Sequence, residues 1–136
     1  VCGLKESSGD LAQIAAIAAT RPADKLLLAG DDILALGSLA VGAQGLVSVA
    51  GNVVPAAMRA LVHEAREGRI AQARSHHETL VPLLHALSAE SNPIPLKAAL
   101  ALCGLATDTV RLPLLPAQPA TRERLRQALV GLGAIA

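Results

Sequence analysis

Three short apolar runs alternate with helix-like segments in the first half of the chain. The runs cover residues 1–5, 25–29 and 45–50, and Gly or polar residues follow each of them. Because apolar residues occupy nearly every position, the runs are typical of parallel strands that are buried on both faces. The pattern therefore predicts an α/β fold in which helices connect three strands of a parallel sheet.

Polar and glycine residues mark the ends of the intervening helices. Asp10 can cap the first helix, because its carboxylate accepts hydrogen bonds from free backbone N–H groups, and Gln13 completes the pattern of a capping box. Asp31 and Asp32 are expected to start the second helix, and Gly68 is placed to end the third. The three predicted helices span residues 11–20, 33–41 and 55–67.

The second half of the chain is predicted to be entirely helical. Its predicted helices span residues 70–90, 96–105 and 121–130, with proline-rich connections between them. The pattern therefore divides the chain into residues 1–68, which hold the strands and their helices, and residues 69–136, which form a helical region.

Three parallel strands leave two unpaired edges and cannot close a barrel. A complete (β/α)₈ barrel needs roughly 250 residues, whereas this chain has 136. The pattern fits either a small open α/β domain or the last part of a barrel, and periodicity does not choose between them. The lack of Phe, Tyr and Trp favours a segment of a larger protein, because aromatic side chains normally fill much of a core.

Composition and charge argue against several classes of function. The net charge of +1 and the absence of aromatic residues are unlike a nucleic-acid-binding surface. No apolar run has the length of a membrane span, and no signal peptide is recognisable. Cys2 and Cys103 are expected to be buried free thiols, which favours a cytoplasmic location. The histidines lack the spacing of metal ligands, so no metal is expected.

Lys5 is the first candidate for chemistry. It lies at the carboxyl end of the first predicted strand, where ligands bind in parallel sheets and barrels. Burial disfavours the charged form of an amine, and a neutral amine can attack a ketone to form an imine. From position alone, a lysine that merely reaches solvent at a strand end is the commoner case.

Five strings of residues change this balance. They are GLKESSGD at 3–10, GDD at 30–32, GAQGLVSV at 42–49 with NV at 52–53, NPIPLK at 92–97 and RLPL at 111–114. Their order and spacing closely resemble those of the dihydrodipicolinate synthase family across essentially the whole chain. The resemblance implies the C-terminal part of a (β/α)₈ barrel, with strands six to eight in residues 1–68, followed by a C-terminal helical region.

The resemblance assigns roles to three residues. Lys5 matches the lysine that forms a Schiff base with pyruvate, and Val47 matches the position whose backbone carbonyl faces the imine. Gly30 matches a strand-end position where the substrate approaches closely, which glycine permits. For Gly30 and Val47, ordinary packing of strands and turns is an equally good interpretation.

The resemblance implies a lyase that condenses pyruvate with aspartate semialdehyde on the route to diaminopimelate and lysine. It also implies a cytoplasmic homo-oligomer, a tetramer or a dimer, without metal or organic cofactor. A sibling pyruvate aldolase of the N-acetylneuraminate lyase or keto-deoxy-sugar acid type is one alternative. A non-catalytic half-barrel that only associates with a complementary chain is another.

The family also uses groups that precede the lysine strand. They include a proton relay of two tyrosines and a threonine, an arginine for the semialdehyde carboxylate, and a threonine-rich loop for pyruvate. The present sequence contains no tyrosine. We therefore expect that it does not complete the catalytic cycle alone.

Overall fold

A three-stranded parallel sheet organises the first half of the chain. Its strands are β1 (Gly3–Glu6), β2 (Leu26–Ala29) and β3 (Gly45–Leu46), in the order β1-β2-β3. In the computed structural model, which describes residues 1–136, Lys5 lies opposite Leu28, and Ala29 lies opposite both Glu6 and Leu46. The predicted parallel strands are thus confirmed.

The third strand is much shorter than predicted. After β3, the Val47 N–H still donates to the Ala29 carbonyl at 2.8 Å. The chain then turns into a 3-10 helix at Ala50–Asn52, so the apolar run over 45–50 is only partly strand. The expectation that the strands are buried on both faces is wrong for this chain, because Leu4, Leu26 and Val47 are 49%, 46% and 42% exposed. A run of apolar residues also does not specify where sheet pairing stops.

One face of the sheet is covered and the other is open. Leu27 and Ala29 are buried and form a core cluster with Ile14 and Ala43. Because side chains alternate along a strand, the neighbouring position Leu26 lies on the opposite face, where it is 46% exposed. By the pairing register, the Lys5 side chain lies on this open face as well.

The first helix, α1 (Leu11–Thr20), has the predicted bounds. The Asp10 carboxylate accepts the N–H groups of Ala12 and Gln13 at 2.8 and 3.3 Å, which confirms the cap. The predicted capping box is wrong. The Gln13 amide donates to Glu6 at 2.9 Å, and the Asp10 N–H donates to the Ser8 hydroxyl at 3.1 Å.

The remaining helices follow the predicted order with shifted ends. They are α2 (Ala35–Ala40), α3 (Pro55–Arg66), α4 (Ile70–Leu87), α5 (Ile94–Leu102) and α6 (Pro119–Gly131). Helix α2 starts later than expected. Asp31 accepts the Ile33 N–H in a preceding turn, and Leu34, at the N-cap position, makes no side-chain capping hydrogen bond. Gly68 follows α3 with a φ of 75°, as expected of a residue that terminates a helix.

The chain forms two compact units. The first consists of Val1–Ser48 and Ala56–Glu78, and the second of Val49–Pro55 and Thr79–Ala136. The second unit contains no strand, and α5 packs against α6 within it. Arg122 forms an ion pair with Asp108, which ties α6 to the connection that precedes it. No helix combines the length and the apolar character needed to cross a membrane.

Candidate active site

The three predicted site residues lie at one edge of the sheet. Lys5 is the third residue of β1, Gly30 directly follows β2, and Val47 directly follows β3. The Gly30 N–H donates to the Glu6 carbonyl at 2.7 Å, and the Val47 N–H donates to the Ala29 carbonyl at 2.8 Å. Parallel pairing therefore brings three residues from distant parts of the sequence to the carboxyl ends of adjacent strands.

Gly30 leaves the space that the Lys5 side chain occupies. A Cβ atom at position 30 would lie 2.6 Å from Lys5 Cε and 1.8 Å from Ser7 Oγ, well inside van der Waals contact. Gly30 does not have a positive φ, so backbone conformation does not require glycine here. A side chain at position 30 would displace the ends of these two flexible side chains and would also lie 3.0 Å from the Glu6 carbonyl oxygen.

The open face exposes these residues to solvent. Lys5 is exposed, and Val47 is 42% exposed on the same side of the sheet. Lys5 therefore reaches solvent in this chain, which is the commoner case for a lysine at a strand end. The covered face of the sheet is packed against α1, whereas Leu26 and Val47 show that the Lys5 face has no comparable cover.

Glu6 anchors the turn that follows Lys5. It is 6% exposed, and its Oε1 atom accepts the Ser8 N–H and the Gln13 amide, each at 2.9 Å. Hydrogen bonds from the Ser8 hydroxyl, the Ser8 backbone and Gln13 hold the pKa of the Glu6 carboxyl below its usual range, although burial and nearby Asp10 oppose them. The ionised carboxylate thus connects β1, the turn and α1.

Ser7 is a further neighbour of Lys5, and the resemblance to the family assigns no role to it. It is exposed, and its Oγ atom abuts Gly30 beside the lysine side chain. The signal that points to Ser7 is the period of two along a strand, which places residues i and i+2 on the same face. The proximity itself depends on the pairing of β1 with β2.

Neither cysteine is one of the strand-end residues that form this edge. Both are free, but Cys2 is exposed and Cys103 only partly buried, so the prediction of two buried thiols is wrong. Burial nevertheless raises the pKa of the Cys103 thiol. Cys2 lies one residue before β1 and is exposed.

Known proteins resemble the chain closely in sequence. Residues 1–131 match the profile of the Dihydrodipicolinate synthetase family. The 4-hydroxy-tetrahydrodipicolinate synthase of Thermomicrobium roseum is 47% identical over 129 residues, which make up 95% of this chain and 43% of that protein. The synthase of Archaeoglobus fulgidus is 42% identical over 132 residues, which make up 97% of this chain and 46% of that protein.

The fold is similar to a solved structure of the same kind. The crystal structure of dihydrodipicolinate synthase from Thermotoga maritima matches 99% of this chain and 47% of its own chain, with a TM-score of 0.95 and 38% identity. The chain thus spans less than half the length of the relatives that it matches. All five strings around the strand ends and the helical connections lie within the matched residues 1–131. The chain therefore belongs to the Dihydrodipicolinate synthetase family.

Proposed function

We propose that this chain is part of a 4-hydroxy-tetrahydrodipicolinate synthase, a lyase that condenses pyruvate with aspartate semialdehyde in diaminopimelate and lysine biosynthesis. One observation carries the proposal. Lys5 lies at the carboxyl edge of the sheet with its side chain against Gly30, and it belongs to a string of residues that resembles the Schiff-base segment of the family. The relatives with up to 47% identity are named as this synthase.

The chain would supply the C-terminal part of a (β/α)₈ barrel. Residues 1–68 would hold strands six to eight, and residues 69–136 the C-terminal helical region. The two exposed apolar side chains on the Lys5 face, Leu26 and Val47, support this placement, because the inner face of a barrel is packed by other strands. The division at residue 68 follows the strands and helices and stays a prediction.

Lys5 would act as the nucleophile. Its neutral amine adds to the ketone carbon of pyruvate, water leaves, and a protonated imine forms. The imine withdraws electrons, so a proton leaves the methyl carbon and an enamine results. The enamine carbon then bonds to the aldehyde carbon of the semialdehyde, and the imine reforms. Gly30 would give room for the bound substrate, and the Val47 carbonyl would face the imine.

The rest of the proposal follows the family resemblance. The reaction needs neither a metal nor an organic cofactor, because the imine itself serves as the electron sink. The complete enzyme would be a cytoplasmic homo-oligomer, a tetramer or a dimer. The residues that relay protons and hold the acceptor carboxylate would come from the part of the enzyme that precedes Lys5.

The acceptor aldehyde separates the synthase from its sibling aldolases. We expect the complete enzyme to use aspartate semialdehyde with pyruvate at least about 10²-fold more efficiently than sugar aldehydes, since a site built for one polar acceptor leaves its groups unpaired with another. A coupled assay that compares kcat/KM for these acceptors tests the proposal. A preference for a sugar aldehyde would instead identify a sibling aldolase.

Gly30→Ala is expected to slow imine formation in the complete enzyme by roughly 10²-fold, because a displacement of about 1 Å at a reacting group has an effect of this size. The new methyl group would collide with the Lys5 and Ser7 side chains. The rate of pyruvate-dependent borohydride trapping at Lys5 measures the effect.

Gly37→Ala is the matched control for this change. A Cβ atom there would meet only the Leu11 side chain, at 3.4 Å or more, which is ordinary contact. The control variant should trap pyruvate at the unchanged rate. Equal trapping rates in both variants would show that Gly30 has no special spatial role.

A further inference from the structure

Two side chains converge above Gly30. Ser7 Oγ and Lys5 Cε lie 1.8 and 2.6 Å from the same point, the position that a Cβ atom of residue 30 would take. The two atoms are therefore close neighbours. Since Lys5 Nζ is bonded directly to Cε, the Ser7 hydroxyl lies within reach of a molecule attached to that nitrogen.

The backbone holds Ser7 firmly on both sides. Before it, the Glu6 carbonyl accepts the Gly30 N–H at 2.7 Å, and after it, the Ser8 N–H donates to the Glu6 carboxylate at 2.9 Å. The Ser8 hydroxyl differs from that of Ser7, because it accepts the Asp10 N–H within the turn at 3.1 Å. Ser7 thus presents an exposed hydroxyl beside Lys5, on a backbone that is hydrogen-bonded on both sides.

The direction of the strand indicates which substrate meets this hydroxyl. Ser7 lies two residues beyond Lys5, roughly 6–7 Å further toward the carboxyl edge along an extended chain. In the proposed reaction, pyruvate is already bound to Nζ when the second carbonyl compound enters from that edge. The acceptor therefore passes Ser7 on its way to the enamine.

We propose that the Ser7 hydroxyl binds the carbonyl oxygen of the acceptor aldehyde and is a specificity-determining residue of the proposed synthase, on which this inference rests. As the enamine carbon bonds to the aldehyde carbon, the carbonyl π electrons move to oxygen and the nitrogen lone pair restores the imine. Ser7 donates a hydrogen bond to the developing alkoxide and keeps its own proton. The alkoxide afterwards takes a proton from the relay that the preceding part of the enzyme would supply.

Steady-state kinetics of the complete enzyme separate this role from pyruvate binding. Because the two substrates react in successive steps, kcat/KM for pyruvate reports imine formation and kcat/KM for aspartate semialdehyde reports the addition. Ser7→Ala is expected to lower kcat/KM for the semialdehyde by about 2- to 12-fold, as for the loss of one neutral hydrogen bond. The value of kcat/KM for pyruvate and the rate of borohydride trapping at Lys5 should not change. Ser7→Thr should restore kcat/KM for the semialdehyde.

Ser8→Ala serves as the matched control, because it removes a hydroxyl from the same turn that does not abut Gly30. It should preserve the ratio of the two constants. Three results would overturn this inference and leave the proposed function standing. They are an unchanged kcat/KM for the semialdehyde in Ser7→Ala, an equal loss of both kcat/KM values in Ser7→Ala, and the same selective loss in Ser8→Ala. Failure of the unaltered enzyme to form a pyruvate adduct at Lys5 would instead overturn the proposed function, and this inference with it.

Discussion

Treatment of the complete enzyme with pyruvate and borohydride is expected to add a stable mass to Lys5, and Lys5→Ala is expected to remove it. The structure supports Lys5 over the two other lysines of the chain. Lys25 precedes β2, at the opposite end of the sheet, and its Nζ lies 2.7 Å from Asp24. Lys97 lies in α5 and donates to the Thr109 carbonyl. Mass spectrometry of the digested protein identifies the labelled lysine.

Activity should fall together with the label. Lys5→Ala is expected to lower kcat by at least about 10³-fold, because without the amine no imine forms and the covalent route to the product is lost. Lys5→Arg retains the positive charge without an amine that forms the imine, so it should be equally inactive. Lys25→Ala is the control and should keep both label and activity. Pyruvate-dependent labelling of any other lysine would contradict the Schiff-base assignment.

Residues 1–136 alone are expected to show no synthase activity and to associate in solution. The sequence has no tyrosine for the relay that the family uses, and general acid–base groups typically contribute on the order of 10²–10⁴-fold. The sheet also exposes large apolar side chains, with Leu4, Leu26 and Val47 at 49%, 46% and 42%. Together with the unpaired edges of β1 and β3, this surface favours association.

Sedimentation and a coupled synthase assay test this expectation with and without the preceding half of the enzyme supplied as a separate chain. Recovery of activity on mixing would support the half-barrel placement, because Lys5 and the tyrosines would have to meet across a rebuilt barrel. The same mixture with Lys5→Arg in this chain is the control and should stay inactive. A monodisperse and active monomer of residues 1–136 would contradict the placement.

Local patterns in the sequence were sufficient for most of the element order. The apolar runs around Leu4 and Leu27 predicted parallel strands, and Asp10 predicted the first residue of α1. Each of these features depends on neighbours within one or two turns, so the chain encodes it locally. Motif spacing likewise indicated the family, and the match over residues 1–131 confirmed it.

Element ends and hydrogen-bond partners were less predictable. The third strand stops at Leu46 and α2 starts at Ala35, each within a longer predicted segment. Gln13 has the spacing of a capping box, yet its amide bonds to Glu6 on β1. These outcomes depend on how strands and helices meet in space, and the free-energy differences between competing local hydrogen bonds are small.

In the candidate site as well, some features follow from the local sequence and others only from the tertiary structure. Lys5 and its strand-end position follow from residue type and spacing alone. Its immediate environment does not, because the 2.6 Å approach to position 30 arises from the pairing of two strands that lie more than twenty residues apart in sequence. The period of two along a strand already places Ser7 on the face of Lys5, whereas the pairing of β1 with β2 brings its hydroxyl against Gly30. Long-range pairing fixes these distances, and no local pattern in the chain records them.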